Sequence, residues 1–310
     1  MSRETYSHDP QDTRASAPES RRQHRSGPSG APAGRRSAPE VPARNETAEV
    51  REQYCGRDAR SDRLRAHYLG ERAYVLRDSE IHSLKEVGKF RVISAADLAK
   101  HAYGENLRRM ERDVRQLVRH GLLADKTLEI SQRKTLRVVT LTKVGHRLLK
   151  KSNQLPDDQP IYHGLVKPRD VRHDADLYRV YQTEAARIES FGGRPVRVLL
   201  DFELRSNLNR DLALLGPDKD DPDSRGRVAE RHGLQLIDGR IPLPDLRVEY
   251  ETPEGELRHV DLELTTRDYR PNALAEKARA GFSLYTRSED AWRLRRVLDE
   301  RELIAGVSSL

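Results

Sequence analysis

The sequence predicts a mixed α+β chain, with a small helical unit closed by a β-hairpin and then an αβββαβ unit, both behind a polar tail. Three observations carry that expectation. From Arg72 onward, apolar residues recur at helical spacing in three successive segments and then alternate over two short runs. Beyond residue 171 a long amphipathic segment leads into a Val/Leu-rich run, a second alternating pair and more amphipathic segments. Residues 1–60, within an expected tail of 1–71, are by contrast rich in Ser, Pro, Gly, Arg and Glu and show almost no apolar periodicity.

Length and composition set the outer bounds. At 310 residues the chain has room for two ordinary domains and a tail. Charged residues make up 35% of it, and the mean hydropathy is −0.84, which fits one unfolded segment beside modest cores. The formal net charge is +7, carried mostly by Arg. A guanidinium fork matches phosphate oxygens and guanine edges, so the balance favours a nucleic-acid partner. No apolar run approaches the roughly 20 residues needed to cross a bilayer. The first ten residues lack the apolar core of a signal peptide, so the expectation is a cytoplasmic protein without membrane contact. The single cysteine, Cys55, leaves no internal disulfide and no Cys-rich zinc site.

The tail carries Arg21, Arg22, Arg25, Arg35 and Arg36, interrupted by Gly and Pro. Such a segment buries too little surface to offset its ordering entropy and is expected to be disordered and solvated.

Residues 72–152 then read element by element. A short strand covers 73–76. Asp78 or Ser79 caps a helix running to Lys89, with Ile81, Leu84, Val87 and Gly88 on its inner face. Ser94 caps a second short helix, with Asp97 at the capping-box position. A turn at Tyr103-Gly104 leads to a third helix over about 105–120, closed by Gly121, with Leu107, Met110, Val114, Leu117 and Val118 as its buried stripe. Two extended runs, 128–130 and 136–141, make a hairpin across Ser131-Gln132-Arg133-Lys134, and a helix follows over 143–151. This order is that of a winged helix-turn-helix. Its third helix leaves Arg108, Arg109, Arg112, Arg115 and Arg119 outward, where such a helix meets the major groove of double-stranded DNA, while Arg133 and Lys134 sit at the wing tip. The competing reading pairs those arginines with Glu111 and Asp113 on a solvated helix. Helix order, hairpin and charge agree with one another and favour DNA. A winged helix used only for protein contacts stays open.

Residues 153–170, with Pro156, Pro160, Gly164 and Pro168, read as a linker to a second domain at 171–310. His173-Asp174 opens a helix to Glu189, with Leu177, Val180, Tyr181, Ala185 and Ile188 inside. A strand over 195–204, a polar loop at 216–223 and a short helix at 227–232 come next. Strands at 244–251 and 257–265 form a hairpin around Pro253-Glu254-Gly255. Helices over 272–285 and 289–300 and a last strand within 303–310 complete the chain.

The second hairpin carries the candidate chemistry. On its first strand Asp245, Arg247, Glu249 and Glu251 share one side, and on its second His259, Asp261, Glu263 and Thr265 do. A turn centred near Glu254 sets Asp245 opposite Glu263, on the face of Asp261. Three carboxylates on one patch repel one another, and a divalent cation relieves that. Oxygen donors suit Mg²⁺, which activates water and stabilises phosphoryl charge. Weighing equally against this, an antiparallel hairpin with one wet face shows the same alternation, and Arg247, Arg258 and His259 can neutralise the acids without metal.

Pro244-Asp245, sixteen residues before Asp261-Leu262-Glu263, resembles the PD-(D/E)xK nuclease signature, and the element order over 173–310 resembles that superfamily's αβββαβ restriction-endonuclease-like core. The resemblance implies Asp245 and Asp261 as Mg²⁺ ligands. Glu263 stands where the family has Lys, and would be a third ligand or a base positioning water. Lys277 of the next helix would then stabilise phosphate, or else be a snorkelling side chain. A further acid could come from Glu184, Asp201 or Glu203. With Gly193-Arg194-Pro195-Val196-Arg197-Val198, Pro244-Asp245-Leu246-Arg247-Val248-Glu249-Tyr250, Asp261-Leu262-Glu263-Leu264-Thr265-Thr266 and Tyr269-Arg270, residues 72–310 resemble the replication-relaxation family. That resemblance implies a plasmid or integrative element, a role in its replication, relaxation or transfer, and partners among its replication or transfer proteins or a second copy of the chain. It does not by itself imply cleavage.

Motifs that would point elsewhere are missing. There is no phosphate loop of an ATPase, no Gly-x-Gly-x-x-Gly, Gly-x-Ser-x-Gly or His-Glu-x-x-His, and no His-x-His pair of a histidine-metal relaxase. Two readings remain: a DNA-binding protein with a Mg²⁺-dependent nicking or cleaving domain, and a non-enzymatic regulator or replication accessory on an inactive nuclease fold.

Overall fold

From Leu64 to Lys151 the described residues form nine short strands and helices. They are β1 (Leu64–Leu69), β2 (Arg72–Arg77), α1 (Asp78–Phe90), β3 (Ile93–Ser94), α2 (Ala95–Ala102), α3 (Leu107–Arg119), β4 (Leu123–Ser131), β5 (Lys134–Leu141) and α4 (Lys143–Lys151). The computed structural model describes residues 62–131, 134–165, 168–266, 269–288, 291–299 and 307–310. The arginine-bearing part of the tail and Cys55 lie outside the described residues. All described residues belong to one compact unit, Asn45–Leu310.

Local chemistry sets the helix ends. Ser94 accepts the Asp97 N–H at 3.0 Å, the expected cap of α2, and the Asp97 carboxylate accepts from the Ser94 hydroxyl rather than from its backbone N–H. Asn106 accepts the Arg109 N–H at the start of α3, and Gly121 (φ +71°) ends that helix in the left-handed region. Gly88 sits mid-helix because α1 packs hard against its neighbours: a Cβ there would lie 2.9 Å from a Leu149 methyl. Three expectations need correction. Strand β1 precedes Arg72 and pairs with β2 from Leu64↔Arg77 to Leu69↔Arg72. In α3 the buried arc is Met110, Asp113, Val114 and Leu117, whereas Leu107 and Val118 are 56% and 39% exposed. Asp113 takes an inner position because its carboxylate finds buried partners there. The β4–β5 hairpin also starts earlier than expected, at Leu123↔Leu141.

The second half contains α5 (Pro168–Ser190), β6 (Arg194–Leu200), α6 (Asp201–Ala213), a 3₁₀ turn (Gly216–Asp220), α7 (Pro222–Arg231), β7 (Leu246–Glu251), β8 (Leu257–Thr265), α8 (Pro271–Arg279), β9 (Ser283–Thr286), α9 (Ala291–Asp299) and β10 (Val307–Ser309). The sheet order is β10-β9-β8-β7-β6; β6, β7 and β8 run antiparallel in turn, and β9 and β10 continue it in parallel. Leu246, Val248, Leu262 and Leu264 share a core with Tyr178 and Ile188 of α5. Helices α6 to α9 contribute Leu208, Val228, Leu274 and Leu294 to a second core with Leu284. The expected strand over 195–204 therefore stops at Leu200, where Asp201 and Glu203 begin a helix that buries Leu204 and Leu208. The expected helix over 272–285 stops at Arg279; Gly281 (φ +82°) turns the chain into β9.

The two halves share one hydrophobic core. Phe90 of α1 meets Tyr178 and Tyr181 of α5 at ring-centroid distances of 5.2 and 5.0 Å, and Arg179 reaches the buried Asp97 at 3.2 Å. The segment read as a linker takes part. The Gln159 side-chain amide bonds both the N–H and the C=O of Val198, each at 2.9 Å, and so covers backbone groups on the outermost strand β6.

Candidate nucleic-acid face and acidic site

The five α3 arginines divide into two sets. Arg109 contacts Asp62 at 3.1 Å, and Arg112 contacts the fully buried Asp113 at 2.8 Å and Asp62 at 3.5 Å. Asp113 also accepts from Ser79 at 2.6 Å and from Tyr103 at 3.3 Å, so this network pins α3 to α1. Burial opposes the charge of Asp62, but its bonds to Ser79 and the Arg109 charge hold its carboxyl below the usual range. Arg108, Arg115 and Arg119 are exposed, and Arg119 donates to Gln116 at 3.2 Å. Glu111, one of the acids expected to neutralise these arginines, instead binds Arg137 of β5, which also holds Asp125 at 2.7 Å. That ties the outer side of α3 to the hairpin. Lys134 is exposed at the hairpin's end; Arg133 lies outside the described residues.

On the β7–β8 face the register is as expected. Arg247 pairs with Asp261 and Leu246 with Leu262, so Asp245 falls beside Glu263. The face is not wet, however: Arg247, Asp261 and Glu263 are buried. Arg247 engages both oxygens of Asp261, at 2.6 and 2.8 Å, and gives two further N–H groups to the carbonyls of His232 and Gly233. Glu263 accepts from Lys277 at 2.9 Å, from the Asp245 N–H at 3.2 Å and from Tyr269. Burial first, then the Asp245 charge, raises the Glu263 carboxyl, against the pull of Lys277. Asp245 accepts the Leu264 N–H at 2.9 Å and lies 3.2 Å from His173 Nε2. Burial would lower the His173 imidazole, but Asp174 and Asp245 raise it to about 10, so it is cationic at neutral pH.

Asp245, Glu263 and Lys277 are thus brought together, while Asp261 is drawn into an ion pair with Arg247. Among the further acids, Glu184 accepts from Tyr285 and Arg187 and stands apart. Asp201 is adjacent: its N–H donates to the Asp245 carbonyl at 3.1 Å, and burial, with added repulsion from Asp245, raises its carboxyl. Among the described residues no group of three or more His, Cys, Asp or Glu side chains is arranged to hold a metal ion. The donor set as it stands does not fit Mg²⁺, because Arg247 occupies both oxygens of Asp261, and Lys277 and the Tyr269 hydroxyl occupy those of Glu263. His173 and Tyr269 were not singled out from sequence as parts of the site. His173 is 72 residues from Asp245, and no spacing rule links them.

No family model matches the chain, and no curated protein does. Among solved structures the chain is similar to Bacillus subtilis PadR in complex with operator DNA, at 15% identity over 50% of this chain and 91% of that one, with a TM-score of 0.21. A likeness that small carries no argument. Among the described residues no helix is long and apolar enough to cross a membrane.

Proposed function

We propose that the chain binds double-stranded DNA through α3 and the β4–β5 hairpin, and that its second half grips DNA rather than cutting it. The observation that carries this is the division of labour on α3. Arg109 and Arg112 fix the helix, while Arg108, Arg115 and Arg119 project from its exposed side. An α-helix fits the major groove, and guanidinium groups one and two turns apart on one side of it reach guanine edges and phosphates there. Lys134 extends the basic surface toward the flanking backbone. The resemblance to the replication-relaxation family supports a role as regulator or accessory in the replication, relaxation or transfer of a plasmid or integrative element.

The rival reading is Mg²⁺-dependent nicking. It is favoured by the adjacency of Asp245, Glu263, Lys277 and Asp201, and opposed by the internal neutralisation of Asp261 and Glu263. Supercoiled plasmid carrying the protein's own upstream region tests both, incubated with Mg²⁺, Mn²⁺ or EDTA beside a gel shift on the same DNA. The expected result is a shift without nicking. Metal-dependent nicking that disappears in Asp245→Ala, with affinity retained, would establish the nuclease instead.

A further inference from the structure

A second basic surface lies beside the acidic site, and nothing in the first reading uses it. Helices α6, α7 and α8 enclose an open groove of about 370 Å³, lined by Arg205 and Asn209 from α6, Arg225 from α7 and Lys277 from α8. Its apolar lining includes Leu208, Leu212 and Leu243, and no carboxylate side chain lines it. Cations from three separate helices converging over a low-dielectric floor focus a positive potential into the groove.

The lining cations retain donors to offer. Arg205 contacts Asp201 at 3.2 Å, an exposed i,i+4 pair of the kind that contributes little and exchanges readily. Arg225 gives one N–H to the Lys219 carbonyl at 3.3 Å, and a guanidinium has five. Lys277 donates to Glu263 and to the Leu243 carbonyl, and an ammonium has three donors. Asn209 is exposed and adds an amide. Leu243 both lines the groove and accepts from Lys277, and Lys277 bonds the Glu263 carboxylate that accepts from the Asp245 N–H. Lys277 therefore belongs both to the groove and to the acidic site.

We infer that this groove holds the phosphodiester backbone of the same DNA that α3 reads, with Arg205 and Arg225 on successive phosphates and Lys277 at the end next to Asp245. The inference rests on the DNA-binding reading above and deepens it. It gives the second half of the chain a substrate class and a strand path without requiring chemistry. Apolar side chains between the cations suit sugar faces, and the absence of lining acids removes the repulsion a polyanion would meet elsewhere on this sheet's polar face.

The test uses the full chain and fluorescence anisotropy on a labelled duplex, with affinity followed across a salt series. Each phosphate contact adds about 0.9 to the slope of log affinity against log salt. Arg205→Ala/Arg225→Ala should make the slope shallower by about 2 and weaken binding alike on the upstream sequence and on unrelated duplex. Arg210→Ala/Arg231→Ala, removing two exposed cations of α6 and α7 that do not line the groove, should leave the slope near wild type. Circular dichroism melts check that both variants fold. An unchanged slope in the groove variant, or an equal change in the control, overturns the groove while leaving DNA binding by α3 standing. Wild type that binds no duplex at any salt overturns both. Saturable binding of a mononucleotide that the groove variant loses, with DNA affinity untouched, also overturns it, because the groove then serves a free phosphate.

Discussion

The outer side of α3 and the polar face of β7–β8 are both rich in charge, and they spend it differently. On α3, three arginines project from a helix anchored by the other two. On β7–β8, Arg247 is paired with Asp261 and His173 with Asp245, and Glu263 takes one of the three donors of Lys277. The first is a surface with charge in reserve, suited to a polyanion. The second is a self-neutralised network that would have to open before its acids could take a cation. Exposure, more than the number of charges, separates a binding face from a structural one.

Three substitutions would break or sharpen that contrast. The largest effect is expected from Arg247→Ala. It strands the buried Asp261 carboxylate without its ion-pair partner and should cost about 3–5 kcal/mol in chemical denaturation. A loss near zero would mean the pair does not hold the site together. Next comes Arg112→Ala, which removes a charged bond to the buried Asp113 and should cost about 1–3 kcal/mol of stability. Its duplex affinity, measured well below the melting temperature, should fall less than that of Arg108→Ala. The reverse ranking would erase the division between anchoring and reading arginines. The smallest effect is expected from Glu80→Gln. Burial first, then the Asp113 charge, raises the Glu80 carboxyl above its ordinary 4.5. The folded state therefore bears the cost of that charge in full above the raised pKa, and the cost falls away as pH drops toward 4.5. Glutamine can still accept the Arg77 N–H that Glu80 accepts at 2.7 Å. Melts should show a small gain at pH 7 that shrinks toward pH 4.5, and a gain independent of pH would remove Glu80 as its source.

Much of the first half was legible because its signals are local. Ile81, Leu84 and Val87 mark a helix face, Ser94 and Asp97 a cap, and Gly121 a stop, each within a few residues. Strand β1 escaped because Leu64 and Tyr68 are exposed apolar residues, which leaves no alternation to read. Helix α6 was hidden by the run Val198-Leu199-Leu200, which carries the strand pattern up to its first turn, and β9 by its four residues. The acidic face followed from period two and a turn position. What alternation cannot say is which charges cancel. The Arg247–Asp261 pairing depends on register and on burial against the carbonyls of His232 and Gly233 just beyond α7, and the His173–Asp245 contact on how α5 crosses the sheet. Both are tertiary facts.

The most direct test of the account is duplex affinity of Arg108→Ala/Arg115→Ala/Arg119→Ala against wild type, by fluorescence anisotropy at two salt concentrations. At about 1–3 kcal/mol for each arginine that reads a base edge, the account predicts at least a hundredfold loss in a protein that melts like wild type. Wild-type affinity in that variant would contradict it, and would leave α3 a solvated helix.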